Sequence, residues 1–478
     1  MANAAVSSRA DAQVGKNMFI GREKELDELL EQIESNEKTA VLIYGRRRVG
    51  KSTMIAKAAE KFKGVVIDHM CVESTFDGNM SMLSRSVCSS LSLPDIRFPS
   101  LKDVFDFLEK QSNRILLILD EYQYLRNSLK KNEVDSYMQA IIDRIGSNVK
   151  VILCGSYVAV MRELLEEEDP LFGRFTKVMH IEEFDYYDAS RFAQNESIRR
   201  KIENYAIFGG SPYVQSCLDQ SASVKENIIR LILPDTGILR IYIENIMLKE
   251  IQKTYDVRIF EAIGNGRKKY SELSAYLGGD NNGLLDKQLK NLINMEAIDK
   301  VFPINRQNDK RKQFYEIRDN LMRFYFCYIF GNQSLISKLG ADKFYSNVIE
   351  ESVNEFISRR FEDIVIQYFK RAVRCGKLTD VFDFGSYWYD DPANKTNGQF
   401  DCVLKRADGY DVFECKYYNR PMKLSECQKE EKQVKSVSDI KWNSIGFVCS
   451  AGFDFRSDEY ALIDGNEIYL SEVLQSEQ

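Results

Sequence analysis

Residues 39–62, TAVLIYGRRRVGKSTMIAKAAEKF, restrict the fold more than any other stretch. A short apolar run rich in β-branched residues meets a helix-forming run, and Gly45, Gly50, Lys51 and Ser52 stand between them with the spacing G-x-x-x-x-G-K-[ST]. Such a turn aims backbone N–H groups and a helix N-terminus at closely packed negative charge, which requires glycine's freedom at Gly45 and Gly50. The amides of Arg46, Arg48 and Val49 lie inside the same loop. Lys51 is placed to reach the β and γ phosphates of a nucleotide and Ser52 to meet Mg²⁺, while Thr53 lies one residue deeper in the helix. Three consecutive arginines, Arg46 to Arg48, require a separate account.

The surroundings of this loop alternate in the same way. FIGREKELDELLEQIES puts Leu26, Leu29, Leu30 and Ile33 on one helical face. After the loop come GVVIDH, a helical stretch around 79–92, a helix near 101–112, the apolar run RILLILDEYQYL, the helical SYMQAIIDRIG and the strand VKVILCGSY. Strands this apolar, separated by helices, imply a parallel sheet covered on both faces, here over residues 18–200. A glycine loop alone also marks an ordinary strand-to-helix turn. The run ILLILDE favours the phosphate reading, because it ends a buried strand with Asp120, suited to Mg²⁺, and Glu121, suited to polarising an attacking water.

A chain of 478 residues exceeds one ordinary core, and at roughly 150 residues per domain about three are expected. With 44% hydrophobic and 29% charged residues the composition is that of a globular protein, and a net charge of −6 gives no global signal for nucleic acid. Two histidines and ten cysteines without any C-x-x-C exclude zinc-site spacing. Cys402, Cys415 and Cys449 lie in strand-like runs and read as small buried hydrophobes. The first residues lack an apolar signal core, and no apolar run approaches the roughly 18 residues of a membrane span, so a soluble cytoplasmic protein without a membrane partner is expected.

Residues 201–330 begin with helices and continue as helix, helix, longer helix and two short strands, the order of a winged helix-turn-helix. NRQNDKRKQ would be its wing. Arg306, Lys310, Arg311 and Lys312 fall within seven residues there, and Lys287 and Lys290 lie on the expected recognition helix, so these six are the candidate DNA contacts. Over 255–320 basic and acidic side chains nearly cancel, which leaves open a packing module that only transmits motion. In residues 331–478, helices including FISRRFEDIVIQYFKRA lead into strands. GQFDCVLKRADGYDVFECKYY puts Asp401 on one strand and Glu414 and Lys416 on one face of the next. Two carboxylates can share a divalent metal, Mg²⁺ or Mn²⁺, while a lysine stabilises charge on a cleaved phosphodiester. The alternative is an ion pair on a surface sheet.

The first unit resembles the archaeal-type ATPase family, a P-loop branch related to the AAA+ and STAND groups. The motifs that carry the likeness are FIGREKELDEL with Gly21, Arg22 and Glu23, LIYGRRRVGKSTMI, LLILDEYQYL, VILCGSY, PLFGRF and YAIFGGSPY. The resemblance implies that the arginines of the loop are a family trait, that Ser156 senses the γ phosphate, and that Arg174 is an arginine finger acting in cis or from a second copy. For Arg174 an ion pair with the nearby EEED stretch stays open. The last unit resembles the PD-(D/E)xK nuclease superfamily and the DUF234 domain that follows archaeal-type ATPase modules. That likeness assigns a further acid, Glu362, and differs at Gln399-Phe400-Asp401, where relatives carry Glu-Ile-Asp.

The expected fold is therefore α/β: a P-loop ATPase sheet, a helical and winged-helix unit, and a restriction-endonuclease-like domain. The expected function is ATP binding and hydrolysis with Mg²⁺, coupled to a nuclease-like domain acting on DNA. An ATP-gated signalling or scaffold switch with an inert nuclease-like module is the rival. A small-molecule kinase is disfavoured, since the Asp120–Glu121 pair suits water activation.

Overall fold

A computed structural model of the chain describes residues 19–248, 255–279, 283–307, 309, 312–391, 396–437 and 440–470. Five parallel strands, β1 (Thr39–Tyr44), β2 (Val65–Met70), β3 (Ile115–Asp120), β4 (Val149–Gly155) and β5 (Lys177–His180), form one sheet in the order β2-β3-β4-β1-β5. Strand residues alternate between two apolar layers. Leu42, Leu117 and Leu153 join one layer with Leu83, Leu101 and Met138, whereas Ile43, Ile118 and Ile152 join the other with Leu29, Met54 and Ala58. Burial on both faces explains the apolar runs of β1, β3 and β4, broken in β4 by the buried Lys150, whose Nζ donates to Thr39 Oγ1 at 3.0 Å. Helices α1 (Glu23–Glu34) and α2 (Lys51–Lys61) cover one face; α3 (Phe76–Ser90), α4 (Leu101–Leu108) and α5 (Glu133–Ile142) cover the other. The four-residue β5, which the periodicity of the sequence did not mark, closes the edge next to β1.

A later helix, α6 (Ile198–Phe208), crosses the boundary expected at residue 200. From here one apolar cluster runs without interruption. It takes in Tyr186, Ile202 and Phe208, then Phe260, Leu289 and Phe324, then Phe361, Cys402 and Val448. The second and third units therefore share a core.

Three helices, α7 (Arg258–Gly264), α8 (Tyr270–Tyr276) and α9 (Leu284–Asn294), precede an antiparallel hairpin of β6 (Ile298–Val301) and β7 (Phe314–Ile317). Lys287 and Lys290 are exposed on α9. Helices α10 (Asn320–Tyr328) and α11 (Val353–Arg374) then lead into a mixed sheet of β8 (Asp383–Asp391), β9 (Thr396–Lys405), β10 (Tyr410–Lys416), β11 (Trp442–Cys449) and β12 (Ala461–Asp464), in the order β12-β11-β10-β9-β8. Pairs β8/β9 and β9/β10 are antiparallel, and helix α12 (Leu424–Ser436) is the crossover that makes β10 and β11 parallel. Phe413 and Cys415 of β10 pack toward α11, and Val412 toward α12. Cys402, Cys415 and Cys449 are buried, and desolvation raises their thiol pKa values, in keeping with a packing role.

The segment expected to be the wing is partly docked. After β6, Ile304 N donates to Ser386 O at 2.7 Å, Asn305 Nδ2 donates to Trp388 O at 2.8 Å, and Trp388 N donates to Asn305 Oδ1 at 3.2 Å. Phe314 packs on Trp388 with ring centroids 4.5 Å apart, and Ile304 is buried. The physical reason is that β8 is an edge strand whose unpaired backbone groups need partners, and this loop supplies them. Arg306 stays exposed and Lys312 half-buried, while Lys310 and Arg311 lie outside the described residues. Ile304→Asp would bury a charge at this seam. It is expected to cost about 3 kcal/mol, read as a lower urea midpoint of the full chain, and an unchanged midpoint would count against the docked hairpin.

Candidate functional site

The glycine loop is shaped by what lies beside it. Ile181 N, just after β5, donates to Tyr44 O at 2.7 Å, and a Cβ on residue 45 would overlap the Ile181 carbonyl oxygen. Only glycine fits. Gly50 begins α2 with φ +95°, the second position where a side chain would be strained. Lys51, on the first turn, is 6% exposed, and its Nζ donates to Gly45 O and Arg46 O, both at 2.8 Å. The ammonium is thus held over the loop.

One strand, β4, separates β1 from β3. Across that gap Ser52 Oγ donates to Asp120 Oδ2 at 3.2 Å. Glu121 adopts φ +53°, a left-handed conformation that costs a non-glycine residue energy and turns its carboxylate toward the end of β4. There Ser156 Oγ donates to Glu121 Oε2 at 2.7 Å, and the buried Gln123 donates its amide to the same oxygen. Lys51, Ser52, Asp120, Glu121 and Ser156 are therefore one constellation, with Thr53 exposed on the next position of α2. Gln123 was not singled out from sequence, although it lies two residues beyond Glu121. The charge of the site extends outward: burial, then Asp120, raises the pKa of Asp68, and the same two causes push the Cys71 thiol up to about 12.

The arginines of the loop point to three different neighbours. Arg46 Nη1 lies 3.6 Å from Glu183 Oε1 and 3.7 Å from Asp319 Oδ2. Arg47 donates to Tyr124 Oη at 3.2 Å and Tyr157 Oη at 3.4 Å. Arg48 stacks 3.7 Å above the Tyr213 ring. The side chains of Arg46 and Arg48 thus bind protein groups. Arg22 joins the opening motif to the loop: its Nη2 donates to Val49 O at 3.3 Å and its guanidinium lies 4.5 Å over Phe184.

Arg174 is elsewhere. Its Nε stands 3.4 Å from Asp143 Oδ1, ahead of β4, and two residues on Thr176 N donates to Ala40 O at 2.8 Å, near the start of β1. These contacts lie at the strand ends opposite the loop, so within one chain Arg174 stands away from the glycine loop. Its partner is Asp143 rather than the EEED stretch.

In the C-terminal sheet, Cys415 N donates to Asp401 Oδ2 at 3.1 Å, and Lys416 Nζ lies 3.3 Å from Glu414 Oε2 and 3.5 Å from Glu430 Oε1 on α12. Glu430 was not expected from sequence, since only the crossover helix brings it over β10. Burial, then Asp401, raises the Glu414 pKa well above the ordinary carboxylate range, and burial also raises Asp401. Burial, then Asp401, pushes Glu362 of α11 up to about 8. Burial opposes charge on Lys416, yet Glu414, Asp401 and Glu430 raise its pKa. These residues form one electrostatic cluster. The ligand atoms of Glu362, Asp401 and Glu414 do not all come within 4.8 Å of one another; among the described residues that spacing is met by His180, Glu182 and Glu296. Arg162 and Arg318 already pair with Glu296, and His180 Nε2, 3.0 Å from Glu296 Oε1, links the hairpin unit to β5.

A five-stranded parallel sheet with an acid strand two places from the glycine-loop strand defines a P-loop ATPase fold. Residues 19–214 match the family model described as an ATPase domain predominantly from Archaea, and residues 325–437 match DUF234, described as archaeal and bacterial proteins of unknown function. The chain carries an archaeal-type ATPase domain followed by a DUF234 domain. An uncharacterized protein of Methanocaldococcus jannaschii is 29% identical over 379 residues, 78% of this chain and 82% of that protein. An uncharacterized ATP-binding protein of Pyrococcus horikoshii is 25% identical over 169 residues, 34% of this chain and 50% of that protein. Among solved structures, a Walker-type ATPase of Pyrococcus abyssi aligns over 64% of this chain and 96% of its own, with 22% identity and a TM-score of 0.47. No helix among the described residues is long and apolar enough to cross a membrane.

The raised Glu362 pKa has a signed consequence. Folded, Glu362 keeps its proton to about pH 8; unfolded, it loses it near 4.5. Between these values the native state binds more protons, so this contribution to stability is complete below the lower value and fades as pH rises toward the upper one. Glu362→Gln is expected to flatten the fall in melting temperature from about pH 5 to about pH 8.5, and a parallel fall in both proteins would refute the assignment.

Proposed function

We propose that the chain is an ATP-hydrolysing switch whose nucleotide state acts on a nuclease-like C-terminal domain. The observation that carries this reading is the meeting of Ser52 and Asp120 beside the buried Lys51, with Glu121 held by Ser156 at the same strand ends. Lys51 would hold the β and γ phosphates, and the amides of the loop the remaining oxygens. The hydroxyl of Ser52 and carboxylate of Asp120, 3.2 Å apart, are the hard oxygen donors that suit Mg²⁺, which when bound neutralises phosphate charge. Glu121 would take a proton from the attacking water, with Ser156 and Gln123 fixing its carboxylate. The ATP-binding relative from Pyrococcus horikoshii supports the choice of nucleotide. Arg174, at the strand ends away from the loop, would act as a finger only on the site of a second copy, which makes a homo-oligomer part of this reading.

For the C-terminal unit we propose a restriction-endonuclease-like role in which Asp401 and Glu414 would hold Mg²⁺ or Mn²⁺, Glu362 would stand beside them, and Lys416 would steady the cleaved phosphodiester of DNA. The oxygen donors suit such an ion, and Glu430 holds Lys416 from the other side. The three helices and hairpin of residues 258–317 would serve as the winged helix, with Lys287 and Lys290 on its exposed helix. The rival, an inert module in a signalling or scaffold switch, is favoured by Gln399 in place of an acid and by the docked hairpin.

Glu121→Gln is expected to keep nucleotide binding while phosphate release falls about a hundredfold or more, and Lys51→Ala to lose binding itself. Fluorescent-nucleotide titration with a phosphate assay separates the two, and wild-type turnover by the Glu121→Gln protein would sink the assignment of the base. For the second unit, a supercoiled plasmid is incubated with the protein, ATP and Mg²⁺ or Mn²⁺. Nicking that Lys416→Ala abolishes supports the nuclease, and no nicking by the wild type supports the inert module.

A further inference from the structure

A cavity of about 1300 Å³ lies where the three units meet. It runs from Arg46 and Val49 of the glycine loop, past Glu183 and Arg323, to Glu362 and Gln399 of the C-terminal unit. Neither the phosphate chemistry nor the acid cluster accounts for its middle section.

At the loop end, two acids from different units converge on one guanidinium. Glu183 follows β5, and Asp319 caps α10, its Oδ1 accepting from Met322 N at 2.8 Å. Arg46 stands 3.6 and 3.7 Å from them, the spacing of a loose ion pair rather than of a bidentate clamp. Burial, then the facing Asp319, pushes Glu183 up to about 8, and both carboxylates face the same Arg46 nitrogen. Residue 46 is also tied to the phosphate site, because its carbonyl accepts from Lys51 Nζ.

From Asp319 the contacts continue along α10. One turn on, Arg323 lies 3.2 Å from Glu316 and 3.1 Å from Asp363 of α11, and Arg360 lies 3.1 Å from the same Asp363. The next residue back is Glu362, which feels Asp363 and Arg360 on one side and Asp401 and Lys416 on the other. These pairs, tied to Asp319 through the backbone bond from Arg323 N to Asp319 O at 2.9 Å, lie between the loop and the C-terminal cluster.

We propose that Glu183 and Asp319 are positioning residues that hold Arg46, and that a bound triphosphate competes with them for it, so that its release shifts α10 and α11 and thereby the acid cluster at Glu362. The two states are Arg46 on the acids and Arg46 on phosphate, and each is favoured by what the other lacks. Because such coupling is reciprocal, removing the acids strengthens nucleotide binding. This rests on the ATP reading above.

The test is hydrogen exchange of the full chain with Mg²⁺ and a non-hydrolysable ATP analogue, beside the double variant Glu183→Gln, Asp319→Asn. In the wild type the analogue is expected to change exchange in residues 319–328 and 353–374 about fivefold; the variant is expected to bind about fivefold more tightly and to lose that response. A variant with a merely damaged fold would bind more weakly. Binding by the wild type without any change in these helices overturns the proposal and leaves the ATP reading standing, as does a response that persists in the variant. No binding by the wild type overturns both.

Discussion

The segment from Ile181 to Asp185 is the constraint on which the arrangement depends. It leaves the edge strand β5 and passes against the glycine loop so closely that residue 45 can carry no side chain. On its other side Phe184 N donates to Gly210 O at 3.0 Å, and a Cβ on residue 210 would overlap the Phe184 carbonyl oxygen. A single extended stretch therefore touches the loop, the Arg22 of the opening motif and the turn that follows α6. Backbone packed this tightly transmits displacement rather than absorbing it, because close-packed interiors leave no void to take up the movement.

The same packing explains three arginines in one loop. Each guanidinium is planar and always charged, so it pairs with carboxylates and stacks on rings equally well. Arg46 takes acids at the junction with the hairpin unit, Arg47 the tyrosines at the ends of β3 and β4, and Arg48 the Tyr213 ring beyond Gly210. The loop is fastened on three sides. Positive potential at the loop is a consequence of this fastening as much as its purpose.

How much was legible in the sequence differs by element. β1, β3 and β4 were readable because a strand buried on both faces must be largely apolar, and Asp120 and Glu121 because they end such a run. β5 was not, since four residues at an edge leave too short a pattern. The hairpin after residue 298 was legible as two strands and a polar turn, yet its docking on β8 was not: hydrogen bonds from Ile304 to Ser386 are made by backbone, which every residue possesses. Glu430 and Gln123 escaped for a related reason, as no local spacing marks a residue whose importance comes from the neighbour it meets.

By itself the sequence determined the parts with a fixed local geometry. The glycine spacing, the acids closing an apolar run, and the strand pair bearing Asp401, Glu414 and Lys416 depend on neighbours a few residues apart, and the chain's own periodicity places them. What tertiary structure alone decided is where those parts face one another. It carried Arg174 to the strand ends opposite the loop, merged the cores of the second and third units, and brought Glu183 and Asp319, distant in sequence, together at Arg46. Those outcomes follow from chain crossovers and burial, and long-range proximity of that kind leaves no repeat or spacing in the order of the residues.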